Sequence, residues 1–229
     1  LGSPHVDFRL RHADFRADAS APSVPWLGMP IAELSRLEAA LVVGSNLRKD
    51  HPLIAHRFRE AAKRGARLQV VHAFEQSLVI KDATCSVVSP SRLEATLKAI
   101  LLAVYEARGV AAPAGVADPA AGELLARTWV TAIARQLLDK TASAVFLGNY
   151  AQQHPDARRL HALAHEIAQQ TQSKFGFFGE AANSVGGYIA QALPYAAAGA
   201  HGLNALRMLA EPRKGYVLLG AEPELDCHD

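Results

Sequence analysis

The chain has 229 residues, of which 50% are hydrophobic and 20% are charged, and its formal net charge is +2. This length suits one large α/β domain or two small ones. The small net charge argues against a dedicated nucleic-acid-binding protein, which usually presents a basic patch. The two cysteines, Cys85 and Cys227, lie far apart and are too few for a Cys₄ iron–sulfur cluster.

A phrase in which an apolar run ends in glycine occurs three times, at residues 41–46, 145–149 and 217–222. Buried parallel strands have this pattern, and the glycine lets the backbone turn sharply at the strand end. After Gly44 and Gly148 the chain continues with a His-Pro pair and an amphipathic stretch, and proline suits the first position of a helix. Strand, glycine turn and helix are the units of a doubly wound sheet, whose ligands bind at the carboxyl ends of the strands.

Residues 1–30 are predicted to form an extended connector. Val6, Phe8 and Leu10 alternate with charged residues, which predicts a short edge strand with one solvated face. Residues 21–30 hold three prolines and favour an extended path towards the first helix.

The first α/β half is predicted to cover residues 31–108, from apolar periodicity and turn residues. Ser91 and Glu94 have the spacing of a capping box at the start of its last helix. Its predicted elements are a short helix at 31–38, the strand of the first phrase, a helix at 53–64, strands at 67–72 and 84–88, and a helix from 89 to 107.

A linker rich in Ala, Gly and Pro is predicted at residues 109–122, and the second half at 123–229. We expect one combined α/β domain, cut from a longer chain, with a mainly parallel sheet, helices on both faces and Rossmann-like units. The predicted elements of this half are helices at 122–140, 156–171 and 202–210 and strands at 144–148, 174–178 and 216–219. A helix missing from this chain is expected as the continuation after Gly220.

Residues 181–206 contain no Asp, Glu, Lys or Arg and are longer than the ~20 residues of a membrane span. They also hold several glycines, Pro194 and polar side chains, so no membrane insertion is predicted. Nothing at the N-terminus has the basic start and apolar stretch of a signal peptide.

Four sequence pieces together resemble the large α/β domain of the molybdopterin oxidoreductase superfamily. Within it they are most similar to the C-terminal, molybdopterin-oxidoreductase-like region of a cluster-carrying subunit of bacterial NADH-quinone oxidoreductase (respiratory complex I). The pieces are VPWLGMPIAEL at 24–34, VVGSN at 42–46, GEAANSVG at 179–186 and YVLLGAEP at 216–223.

The resemblance implies a structural, subunit-docking domain of the peripheral arm of this complex, which passes electrons from NADH to quinone. Its partners would be other peripheral-arm subunits, on the cytoplasmic side of the bacterial inner membrane. No cofactor is expected in this region, because the family carries its iron–sulfur clusters in a part of the subunit that precedes it. The alternative is a cofactor-binding fragment of a molybdopterin guanine dinucleotide oxidoreductase.

A nucleotide site needs free backbone N–H groups at a helix start, and the Gly44 turn is shaped for that. However, the full glycine fingerprint of dinucleotide sites is missing. The second strand ends in His72-Ala73, without the acid that commonly accepts hydrogen bonds from a sugar, which also argues against a nicotinamide-dependent dehydrogenase. No catalytic or cofactor-binding residue is therefore predicted, and the remnant loop candidates are Gly44, Ser45, Asn46, Gly148, Asn149, Asn183 and Gly186.

Four histidines lie in patterns that could carry chemistry. His161 and His165 are spaced i, i+4 on a predicted helix, which could present two imidazoles to zinc, but no third ligand is evident. We expect a solvated helix face and no metal site. His51 and His154 precede prolines and are expected to cap or pack turns.

The remaining polar candidates are interpreted as structural. Ser45 lacks the Gly-x-Ser-x-Gly context of a nucleophile elbow. Asn183 is expected to stabilise its own loop, since asparagine bonds nearby backbone. Residues 48–50 favour an exposed turn over a phosphate clamp, and the loop acids Glu180, Glu222 and Glu224 are expected to be solvated.

Overall fold

In the computed structural model, which describes residues 2–20, 24–194 and 202–227, five strands form one all-parallel sheet. The strand order is β3-β2-β1-β4-β5, the doubly wound order, so the α/β class with Rossmann-like units is confirmed. The strands are β1 (Ala39–Val43), β2 (Arg67–His72), β3 (Thr84–Val87), β4 (Ser143–Leu147) and β5 (Lys174–Phe177).

The helices of the described ranges connect these strands and cover both faces of the sheet. Two 3₁₀ segments, Arg16–Ser20 and Ile31–Arg36, precede β1, and a third, Pro90–Arg92, leads into α3. The α-helices are α1 (Leu47–Asp50), α2 (Pro52–Lys63), α3 (Leu93–Arg108), α4 (Pro119–Leu125), α5 (Thr128–Leu138), α6 (Asn149–Gln152), α7 (Ala157–Gln170), α8 (Ser184–Ile189), α9 (Ala205–Ala210) and α10 (Pro223–Asp226).

The alternation of side chains along β1 divides the core into two layers. Leu41 and Val43 pack in a cluster with α3, α5 and α7 on one face of the sheet. Ala40 and Val42 pack in a second cluster with α2 and Phe178 on the other face. Every residue of β1 and β4 is buried, which explains why their sequences are continuous apolar runs.

The order of the strands reverses between β1 and β4, since the chain moves outward from β1 through β2 to β3 and then returns to β4. Register pairs Val43 with Leu147 at the ends of these two strands. The glycine turns after β1 and β4 therefore meet at the switch point of the sheet, where ligands of this fold class usually bind.

The predicted edge strand at residues 6–10 is wrong. Arg9 points inward and is 4% exposed, whereas Val6 is 46% and Phe8 is 36% exposed. Ion pairs from Arg9 to Asp7 and Asp18 compensate its burial, so two side chains of the expected solvated face, those of Asp7 and Arg9, are buried.

The predicted strand at 216–219 is also wrong. These residues lie outside regular secondary structure, with Val217 83% and Leu219 95% exposed. The phrase matches those of β1 and β4, but a strand also needs a neighbour to bond, and none of the described strands pairs with it. After Gly220 the described residues form the single helical turn α10.

The predicted helix at 122–140 is two helices, α4 and α5. Asp118 accepts a hydrogen bond from the Ala121 N–H at 2.8 Å and caps α4 with Pro119 at its first position. Helix α4 therefore begins inside the predicted linker, and its Ala121 is fully buried against α3. The capping box at Ser91 and Glu94 is not formed, because α3 begins at Leu93 without a side-chain cap.

Candidate functional site

The turn after β1 requires glycine at position 44. Gly44 has φ +70°, and a β-carbon there would lie 2.6 Å from the backbone nitrogen of Ala151 in α6. Any side chain would therefore push apart the two loops that meet at the switch point.

The turn after β4 lies directly against the turn after β1. A β-carbon on Gly148 would overlap the Gly44 carbonyl oxygen and Ser45. The Gly148 N–H donates to the Val43 carbonyl at 2.8 Å, and the Tyr150 N–H donates to the Gly44 carbonyl at 2.9 Å. Backbone from the two loops thus fills the crevice in which a doubly wound sheet usually holds its ligand.

Two backbone donors of the first turn are already used. The Gly44 N–H donates to the Val71 carbonyl, and the Asn46 N–H donates to the Asp50 carboxylate, both at 2.9 Å. The helix that follows, α1, is a single turn of four residues. A bound anion would be repelled by the Asp50 carboxylate, which already accepts the hydrogen bond that the anion would need.

Ser45 and His51 form a bridge between three segments. The Ser45 Oγ lies 3.2 Å from His51 Nδ1, and His51 Nε2 lies 2.9 Å from the Gly179 carbonyl oxygen. The carbonyl can only accept, so Nε2 carries a proton, and in the neutral imidazole Nδ1 accepts from the Ser45 hydroxyl. Ser45 is fully buried, and the bridge ties the β1 turn to the start of α2 and to the loop after β5.

His72 occupies the end of β2, where the sequence lacks an acid. Its side chain is 3% exposed and packs against the rings of Phe74 and Tyr150. Burial lowers its pKa, only partly opposed by Asp50. Three buried polar atoms near this edge lack a hydrogen-bond partner among the described residues: His72 Nδ1, Gln76 Oε1 and Asn149 Oδ1.

Not all remnant loop candidates come together. The loops of Gly44, Ser45, Asn46, Gly148 and Asn149 meet at the switch point, as their places at two strand ends predict. Asn183 and Gly186 lie at the start of α8, and among the described residues no hydrogen bond joins them to those loops. Gly186 instead packs against the Asn183 side chain, where a β-carbon would overlap the amide.

A cavity of about 600 Å³ lies on the other side of β4, between β5, α7 and the N-terminal segment, defined here as residues 2–18. Phe175 and Phe177 of β5 form one wall, and His161 of α7 stacks on Phe175 with ring planes 5° apart and centroids 5.3 Å apart. Trp26, with its side chain 53% exposed, borders the same space.

The N-terminal segment forms a wall of this cavity, and its acidic side chains hold it in place. Asp14 Oδ2 accepts from the Arg158 N–H in the first turn of α7 at 2.9 Å, and its other oxygen accepts from Arg16 at 2.8 Å. Burial opposes ionisation of Asp14, but these hydrogen bonds from Arg16 and Arg158 outweigh it and lower its pKa to about 2. Arg9 and Asp18 form a further pair in the same wall.

The histidine predictions hold in part. His165 is exposed, as expected of a solvated face, but His161 is half-buried on Phe175, and burial lowers its pKa, with His165 as a smaller cause. His51 and His154 pack turns as predicted: His154 Nδ1 accepts from the Asp156 N–H at 3.0 Å. Within the described ranges no group of three or more His, Cys, Asp or Glu is placed to hold a metal ion.

The polar loop predictions are also only partly right. Residues 48–50 are exposed, as expected, but Asp50 also caps the Asn46 N–H. Glu180 is not simply solvated: His12 lies 3.5 Å away and lowers its pKa, and Gln153 donates to it at 2.9 Å. The capping roles of Asp14 and Asp50 carry no sequence signal, since each acid lies outside any capping motif.

For the segment at 181–206 the sequence predicts no membrane crossing. Residues 195–201 lie outside the described ranges. Within those ranges, no helix combines the length and apolar character that a bilayer crossing requires.

No protein-family model and no curated protein matches the sequence. Among solved structures, the chain is similar to one in the formyltransferase/hydrolase complex FhcABCD from Methylorubrum extorquens, determined with methylofuran. The identity is 14% and the TM-score is 0.46, over 85% of this chain and 55% of that chain. The chain thus spans about half the length of that chain.

Proposed function

We propose that this chain is a structural, subunit-docking domain of the peripheral arm of NADH-quinone oxidoreductase, without redox chemistry of its own. The proposal combines the four sequence pieces quoted above with one observation of geometry. At the switch point, the Asp50 carboxylate holds the Asn46 N–H that a bound phosphate would need. On this proposal the partners are the arm's other subunits, on the cytoplasmic side of the bacterial inner membrane.

The same arrangement argues against a molybdopterin guanine dinucleotide at this edge. A pyrophosphate would have to displace the Asp50 carboxylate and separate Gly44 from Ala151. Two like charges at contact distance repel by about 1 kcal/mol even in water, and by more where the site is shielded. The residues present therefore do not fit this group, and no step of chemistry is assigned to it.

Support for docking comes from apolar side chains left exposed near the end of the chain. Val217, Leu219 and Leu225 are 83%, 95% and 73% exposed. Contiguous exposed apolar residues are typical of surfaces that another polypeptide covers. Arg11 holds this region to the N-terminal segment through Asp226 at 2.5 Å.

One observation supports the alternative, a fragment that binds a guanine dinucleotide: His72 Nδ1, Gln76 Oε1 and Asn149 Oδ1 are buried without a hydrogen-bond partner among the described residues. Groups of this kind are usually satisfied by ordered water or by a ligand. A nucleotide that used them would also have to rearrange the loop of Asp50.

Thermal unfolding with GDP separates the two functions. A ligand at 100 times its dissociation constant adds about 2.7 kcal/mol to the free energy of unfolding. We expect no shift of the melting temperature at millimolar GDP, in the wild type or in Asp50→Asn, which removes the competing charge. A GDP-dependent shift in the wild type would favour the alternative. A shift in Asp50→Asn alone would show that the loop can bind nucleotide and that Asp50 prevents it.

A further inference from the structure

The cavity between β5, α7 and the N-terminal segment has the composition of a ligand site. Its volume of about 600 Å³ lies within the usual range for small-molecule pockets. Trp26, Phe175, Phe177 and Tyr188 border it, and none of these side chains is fully buried. Their rings offer flat apolar surface on more than one side of the space.

Two imidazoles supply hydrogen-bonding groups to this cavity. His161 and His165 both line it, and neither makes a hydrogen bond to another described residue. Their contacts are with aromatic rings: His161 stacks on Phe175, and His165 meets the same ring edge-on with centroids 5.3 Å apart. A neutral imidazole offers one donor and one acceptor, so the pair can bond a ligand that carries either.

The two acidic side chains that line the cavity already form ion pairs with arginines of the N-terminal segment. Asp18 is paired with Arg9 at 2.6 Å, and Asp14 with Arg16 at 2.8 Å. The N–H of Arg158, which a phosphate could otherwise use at the start of α7, is bonded to Asp14. The Arg158 side chain is exposed and donates to the Arg16 carbonyl at 3.3 Å. Arg9 and Arg158 line the cavity as well, and a phosphate would have to compete with Asp18 for Arg9 and with Asp14 for the Arg158 N–H, whereas an uncharged ring would disturb none of these pairs.

We propose that this cavity binds a small, uncharged, planar heteroaromatic molecule, in contact with Trp26 and with the stacked His161–Phe175 pair. The imidazole nitrogens of His161 and His165 hydrogen-bond the polar edge of the ring. This site lies beside the switch point of the sheet, since Ala151 of α6 borders both, and it does not depend on the docking function proposed above.

Saturation-transfer NMR and calorimetry with three uncharged probes, adenosine, riboflavin and 4-quinolone, test the proposal. At least one probe should bind with a dissociation constant of 1 mM or tighter. Trp26→Ala and His161→Gln should each weaken binding at least tenfold, with melting temperatures checked in parallel. Phe74→Ala is the matched control, because Phe74 is 48% exposed and packs on a histidine, His72, but does not line the cavity.

Adenosine and AMP differ by a phosphate and separate an uncharged ligand from an anionic one. We expect AMP to bind no tighter than adenosine. The proposal is overturned if none of the three uncharged probes binds, if binding survives both Trp26→Ala and His161→Gln unchanged, or if AMP binds tenfold tighter than adenosine.

Discussion

Asp14 caps helix α7 from 144 positions away in the sequence, through a 2.9 Å hydrogen bond from the Arg158 N–H to its Oδ2. Its side chain is shielded from solvent. The bond satisfies one of the free donors of the helix start and places a negative charge at the positive end of the helix. It also fixes the N-terminal segment against the body of the domain.

Asp14→Asn should therefore destabilise the protein at neutral pH. The folded pKa is about 2, below the ordinary value of 3.8, so the carboxylate contributes stability above pH 4 that is lost as the pH falls through the folded pKa. This shift corresponds to about 2 kcal/mol in the free energy of unfolding. Urea unfolding of wild type and variant at pH 7 and pH 3 measures the difference, which should shrink at the lower pH.

Asp82→Asn serves as the control for that experiment, because Asp82 makes an exposed ion pair of 3.5 Å with Arg67. Exposed pairs of this kind contribute between about 0 and 1 kcal/mol. Equal losses in the free energy of unfolding from Asp14→Asn and Asp82→Asn at pH 7 would show that the Asp14 cap of α7 stabilises the fold no more than an exposed ion pair does.

Gly44→Ala should cost roughly 2–4 kcal/mol of stability. The residue has φ +70°, and the new methyl group would lie 2.6 Å from the Ala151 backbone nitrogen. Gly122→Ala is the matched control, since Gly122 lies in α4 with open space around it and should gain up to about 1 kcal/mol. Chemical denaturation measures both, and a Gly44→Ala variant as stable as the wild type would rule out the close approach of the two loops.

Stability should fall as the pH drops below about 6.5, through His72 and His161. Burial lowers the pKa of both, so the unfolded chain takes up protons that the folded chain refuses. His72→Phe removes the titrating group from a mainly aromatic environment and should flatten the decline in melting temperature between pH 7.5 and pH 5.5. At pH 8 any difference reflects packing alone. An unchanged slope in His72→Phe would show that His72 is not the group that destabilises the protein in acid.

Replacing His161 and His165 together by Gln should leave the metal content unchanged. His161 is engaged in ring packing on Phe175, and the described residues place no third ligand beside the pair. Metal analysis of both proteins after purification with added zinc checks this. Stoichiometric zinc in the wild type that disappears in the double variant would establish a metal site.

The central strands were predictable because burial leaves a local signature. The apolar runs of β1 and β4 indicate the strands, and the helix predicted at 53–64 is α2, Pro52–Lys63. The failures involve partners distant in sequence. The run at 217–219 has the same pattern, but no described strand pairs with it, and the burial of Arg9 depends on Asp7 and Asp18.

The candidate site was likewise predictable only where it does not depend on contacts between residues distant in sequence. The meeting of the loops after β1 and β4 follows from the strand order of a doubly wound sheet. The closure of that crevice does not, because it depends on backbone approach between Gly44 and Ala151 and on Asp50 turning back to the Asn46 N–H. The cavity beside α7 was not predictable, since its walls come from segments far apart along the chain.

Docking is tested most directly by the affinity of this domain for the other purified subunits of the peripheral arm, measured by biolayer interferometry. The domain should bind with a dissociation constant of tens of micromolar or tighter. Val217→Ser with Leu219→Ser should abolish binding without changing the melting temperature, since both side chains are exposed. Leu53→Ser, which alters a residue 75% exposed on α2, should bind as the wild type does. No binding by the folded wild type, or equal binding by the Val217→Ser, Leu219→Ser variant, would contradict the account.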